Sequence, residues 1–108
     1  MANTFLRNTS NAIGTTYTTV YTAPAATTAI ILSGTIANTS TSALVNTEVI
    51  VNNGTDDINI IGTSTPIPVG TALSFVDGKL VLQAGDVLKV KASVASVLDV
   101  YISLMEMN

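Results

Sequence analysis

From Thr15 onward, apolar and polar residues alternate with a period of two in short runs separated by turn signals. That is the pattern of strands with one face buried. Thr15–Thr22 reads as a Thr/Tyr/Val strand closed by Ala23-Pro24. Ala29–Asn38 follows, with Ile30, Leu32 and Ile36 expected on one face and Ile31, Ser33 and Thr35 on the other. Ala43–Asn52 sets Val45, Val49 and Val51 against Asn46, Glu48 and Asn52. Asn53-Gly54 is a strong turn signal, leading to a short strand at Ile58–Ile61. Pro66 and Pro68 bracket Ile67, and proline cannot donate to a ladder, so this stretch is a loop or an edge. Thr71–Val76 points Leu73 and Phe75 inward and is expected to form a hairpin with Lys79–Leu82 through Asp77-Gly78. In the next strand Leu88, Val90 and Ala92 alternate with Lys89 and Lys91, which must face water. In the last, Leu98, Val100, Ile102 and Leu104 alternate with Asp99, Tyr101 and Ser103. No window holds a helical period. About eight short strands at this spacing predict an all-β fold, an antiparallel β-sandwich of the jelly-roll kind, over residues 15–108.

Residues 1–14 lack this alternation. Asn, Thr and Ser dominate, with Phe5, Leu6 and Ile13 as isolated apolar positions and Gly14 as punctuation. The segment reads as an irregular N-terminal arm: a loose terminus, or a strap docking on a neighbour through Phe5, Leu6 and Arg7. Deleting Met1–Gly14 is expected to leave the sandwich folded while weakening attachment to a partner.

Composition sharpens the picture. The 108 residues include eleven charged side chains, with a net charge of −3. Charged residues make up 10% of the chain, against roughly 25% in an ordinary soluble domain. Polarity comes instead from 17 Thr, 9 Ser and 9 Asn, and Arg7 is the sole charge between Met1 and Thr47. Charge is what usually guards sheet edges and keeps monomers apart. A surface this neutral fits either a monomer hydrated by its hydroxyls or, the favoured reading, a protein whose exterior is covered in an assembly. Ala-, Val-, Thr- and Ile-rich edges suit β-augmentation between protomers.

Several chemistries are excluded. The chain has no Cys and no His, which removes the disulfide framework, the usual zinc, haem and iron–sulfur ligands, and His-assisted nucleophilic catalysis. An acidic balance argues against nucleic acid as a partner. The first twenty residues hold no apolar run, so no secretory signal is expected. The most apolar early stretch, Ala29–Ala37, falls far short of a membrane span, so no membrane partner is expected. The oxygen-rich loop Asn52–Asp57 lacks calcium-loop spacing and reads as a turn. Asp56, Asp57, Asp77 and Asp86 sit at turns, so the carboxylates are not paired for catalysis, and no enzyme activity, cofactor or metal is expected. Three glycosylation sequons begin at Asn8, Asn38 and Asn53, at a frequency this composition gives by chance. Lys79, Lys89 and Lys91 read as solvated or edge-guarding positions, with an acidic neighbouring subunit as the alternative partner. Tyr17, Tyr21 and Tyr101 are a weak candidate platform for a carbohydrate-binding module.

The phrases Met1-Ala2-Asn3-Thr4-Phe5, Gly14-Thr15-Thr16, Val20-Tyr21-Thr22-Ala23-Pro24-Ala25 and Ile36-Ala37-Asn38-Thr39-Ser40 resemble small structural proteins of tailed-bacteriophage virions. So do Pro66-Ile67-Pro68-Val69-Gly70 and the run Gly78–Val90 with its Ala84-Gly85-Asp86 turn. The resemblance spans most of the chain as turn-and-strand phrases. It implies a β-sandwich virion component, foremost a capsid decoration (cement) protein on the head, otherwise a neck, tail, baseplate or fibre module. The implied partners are the major capsid protein or other virion proteins, and copies of itself as a trimer or a dimer. The family offers no active site to carry over.

Overall fold

The computed structural model describes residues 3–108 except Thr63 and Asp77. It holds ten antiparallel strands: β1 (Asn3–Ser10), β2 (Thr18–Thr22), β3 (Thr28–Asn38), β4 (Val45–Asn52), β5 (Asp57–Asn59), β6 (Thr65–Ile67), β7 (Ala72–Ser74), β8 (Leu80–Leu82), β9 (Val87–Ala92) and β10 (Leu98–Met107). Two sheets face each other as a β-sandwich. The first runs β1-β10-β3, with β7 and β8 end to end along the far side of β3. The second runs β2-β9-β4, with β5 and β6 sharing the far side of β4. The ten strands thus occupy eight lateral positions.

The core forms where the inner faces meet. Ile31 and Ile36 of β3, Val45 and Val49 of β4, Leu88 and Val90 of β9, and Leu98, Ile102 and Leu104 of β10 are buried. Ile13, Ile67, Phe75 and Leu82 belong to the same cluster. Leu88, Val90 and Ala92 point in while Lys89 and Lys91 point out, as their alternation predicts.

Three features differ from expectation. Residues Asn3–Ser10 are not irregular: all eight pair with β10, from Asn3 opposite Met107 to Ser10 opposite Val100. The strand lies at a sheet edge and is mostly exposed, so its sequence carries no apolar alternation. Ile13 is buried in the core, and its N–H donates to the Leu98 carbonyl at 3.0 Å. Removal through Gly14 would therefore strip a strand and a core side chain, not a free arm. Second, β7 and β8 do not pair as a hairpin; each pairs with β3, at Thr35–Ala37 and Ala29–Ile31 respectively. Asp77, the first residue of the expected turn, lies outside the described residues.

Third, β3 changes phase. Its register on β10 shifts so that Ser103 faces Ser33 and Leu104 faces Ile31, leaving Leu32 as an extra residue. A bulge of this kind reverses which parity points inward. Ala29 and Ile31 are inside before it, Gly34, Ile36 and Asn38 after it. Ile30 and Leu32 consequently face outward, opposite to Ile36. A second bulge at Val20 in β2 lets the neighbours Val20 and Tyr21 both be buried.

Candidate interaction surface

The two outward faces differ in chemistry. Opposed residues in an antiparallel ladder share a face, so the registers place side chains directly. Across the first sheet, Phe5 of β1 opposes Met105 of β10, Met105 opposes Ile30 of β3, and Ile30 opposes Val81 of β8. An apolar row crosses the whole sheet on its outer side. Phe5 is 73% exposed and Val81 57%. Beside the row stand Leu32, Tyr101, Ser103 and Thr35, and the face also carries the charges of Arg7 and Asp99. Contiguous exposed apolar surface marks contact sites more often than chance.

Two shallow grooves lie here. One, of about 350 Å³, is bordered by Phe5, Leu6, Arg7, Leu32, Tyr101 and Ser103. The other, of about 530 Å³, runs past Thr9, Asn11, Thr35, Ala37, Asp99 and Tyr101. Phe5, Leu6 and Arg7 are thus brought together on β1, although they do not share a face. Phe5 and Arg7 point outward; Leu6, opposite buried Leu104, points to the inner side and stays exposed at the edge.

The second sheet turns ions outward. Glu48 of β4 opposes Lys91 of β9, and their charged ends lie 3.7 Å apart. The Tyr17 hydroxyl donates to Glu48 Oε1 at 2.5 Å, and Lys91 Nζ stands 4.7 Å from the Tyr17 ring centroid. The hydrogen bond from Tyr17 holds the Glu48 carboxyl below its ordinary range, with Asn59 and Lys91 adding to the effect. The same bond, followed by desolvation and the Glu48 charge, pushes the Tyr17 phenol up to about 12. Exposed ion pairs of this kind contribute little stability. They define a face that favours water. Lys79 lies away from Lys89 and Lys91, ahead of β8 in the other sheet, so the three lysines are not one patch.

The remaining candidates resolve into structural roles. The three tyrosines share no platform: Tyr17 is outside the second sheet, Tyr101 outside the first, and Tyr21 between them. Tyr21 donates to Glu106 Oε2 at 2.5 Å, and burial, then this bond, raises its pKa well above the ordinary value. In Asn52–Asp57, Asn53 Oδ1 accepts from the N–H groups of Thr55 and Asp56, Asn52 Oδ1 accepts from Gly54, and Asn52 Nδ2 donates to Asp57. The loop is a side-chain-braced turn, with Gly54 at φ +96°. Among the sequons, Asn38 is buried, and its Nδ2 donates to the Ala43 and Ile67 carbonyls at 3.0 and 2.8 Å. Its part in pinning β6 to β3 was not visible in the sequence, where it looked like any turn Asn.

No protein-family model matches the chain, and no curated protein matches it. Among solved structures it is similar to a chain described under the words "Bacillus endospore appendages form a novel family of disulfide-linked pili". The superposition has a TM-score of 0.56 at 12% identity and covers 100% of this chain and 91% of that one. At that identity the likeness speaks for the sandwich fold alone.

Proposed function

We propose that the protein is a non-catalytic building block of a larger assembly, and specifically a bacteriophage virion protein of the capsid-decoration type. In this reading it seats on the head in small homo-oligomers, contacting the major capsid protein, and stabilises the shell. The observation that carries the reading is the one-sided exterior. The outer face of the first sheet presents the Phe5–Met105–Ile30–Val81 row, with Arg7 and Asp99 as charges beside it, while Glu48 and Lys91 pair on the other face. A side that stays wet and a side that seeks cover suit a protein laid on a surface. The nested pairing, with β1 beside β10 and β2 beside β9, supports reading the sandwich as a jelly roll, a fold frequent in viral shells. Weak contacts suffice where many copies act together.

A second reading, favoured by the structural neighbour, is a subunit of an appendage or pilus. That neighbour is described as disulfide-linked. This chain has no Cys, so its own contacts would be non-covalent.

Heads and tails separated from particles made by the host that encodes the chain decide between these readings. The decoration reading expects the chain on DNA-filled heads at high copy number. Its presence on tails alone, or in filaments free of capsid protein, overturns it.

A further inference from the structure

We propose that β1 is a self-association edge, and that two copies of the chain pair antiparallel through it in a register centred on Leu6, joining their first sheets into one. The inference stands on the edge itself and holds whether the assembly is a virion or a filament.

Among the described residues the sandwich has four open sheet sides, and three are blunted. β2 is broken by its bulge at Val20. β5 and β6 are three residues each, and β6 contains Pro66. β7 and β8 are also three residues each. Short strands, bulges, proline and charged side chains are the devices by which sheets refuse further strands. Arg7 is the one such device on β1, whose eight residues run in unbroken register on β10 with no proline. Every second residue of β1 turns its N–H and C=O away from β10, and a strand is what satisfies them.

A second β1 is the occupant that matches in length, and its chemistry selects the register. In a two-fold pair the outward residues Phe5, Arg7 and Thr9 of one copy must oppose outward residues of the other. Centring on Arg7 sets two guanidinium groups face to face, which is destabilising. Centring on Phe5 shortens the pairing to Asn3–Arg7. Centring on Leu6 engages Asn3–Thr9, places Arg7 of each copy against the Phe5 ring of the other, and meets Leu6 with Leu6 on the inner side. Arginine over an aromatic ring is a favourable contact. The two Phe5 rings become diagonal neighbours about 7–8 Å apart, within aromatic reach, so the apolar row continues from one copy into the next. One edge buries less than the roughly 1,200 Å² of a stable interface. The pair is therefore expected at high protein concentration and to tighten where copies are held side by side.

Because the chain has no Cys, a single introduced thiol reports the register. Opposed residues in a ladder have Cα atoms about 4.5–5.5 Å apart, inside the disulfide range. Leu6→Cys should form a covalent dimer on mild oxidation of concentrated protein. Thr9→Cys, exposed on the same strand but about 20 Å from its counterpart in this register, should stay monomeric. Sedimentation of Leu6→Lys, with its melting curve checked against the parent, should show the reversible dimer lost while the fold persists. Equal cross-linking at both positions, no cross-link at Leu6→Cys, or undiminished association of a folded Leu6→Lys overturns the proposal.

Discussion

The Phe75 ring lies flat against the backbone of Gly34, so that a methyl group at Gly34 would meet the ring at 2.4 Å. The Phe75 N–H also donates to the Gly34 carbonyl at 3.1 Å, which ties the segment after β7 to the middle of β3. Here glycine serves close approach, two residues beyond the bulge at Leu32. Gly34→Ala is expected to cost about 1–3 kcal/mol by overpacking. Urea titration checks this, and pairing the change with Phe75→Leu should recover much of the loss. Parent-like stability of Gly34→Ala would mean that the ring is free to move away.

A carboxylate placed in the core has no partner to meet. Leu88 and Val100 are 0% and 2% exposed, on β9 and β10 of opposite sheets. Leu88→Asp or Val100→Asp should cost about 4–5 kcal/mol or more, a large share of a small domain's stability. Calorimetry should show no cooperative transition, or one far below the parent's; a normal melt would put the strand faces in error.

Asn38 replaces a stretch of missing ladder. Its amide reaches the Ala43 and Ile67 carbonyls, and its Oδ1 accepts from the Ser40 N–H at 2.9 Å. Asn38→Ala removes a buried hydrogen bond to Ile67 and two part-buried ones, and should destabilise by roughly 2–3 kcal/mol. Amide exchange should rise first in Ser40–Val45 and around Ile67. Uniform exchange with unchanged stability would assign the loop to other contacts.

The Tyr17–Glu48 bond makes a prediction about pH with opposite signs at its two ends. The neutral phenol is the favoured form, so its contribution is complete below the ordinary value of 10.0 and is lost as pH rises through about 12. For Glu48 the charged form is favoured, so its contribution is present above the ordinary carboxylate range and is lost as pH falls through the lowered value. In a Tyr21→Phe, Tyr101→Phe background, ultraviolet titration should show Tyr17 ionising near 12, and Glu48→Gln should bring it back toward 10. Ionisation near 10 in the unmodified pair would break the link.

Where side chains on the two sides of a strand differ, the sequence was legible. Lys89 and Lys91 between Leu88, Val90 and Ala92 fixed β9, and Val45, Val49 and Val51 fixed β4. Phase was lost in β3 because one inserted residue reverses parity without leaving any compositional mark: Ile30 and Ile36 share parity yet face opposite ways. β1 was invisible as a strand because an edge with two wet sides needs no alternation. The apolar row was hidden for a related reason. Phe5, Ile30, Val81 and Met105 lie far apart along the chain, and register alone aligns them.

Oxidative footprinting reads most directly whether the neutral side of the sandwich is the covered side. In free, dilute protein, hydroxyl radicals should label Phe5, Tyr101 and Met105 on the first sheet and Tyr17 on the second. In assembled particles, labelling of the first three should collapse while Tyr17 stays reactive. Equal labelling of Met105 in both states, or protection of Tyr17 in place of the apolar row, would contradict the account.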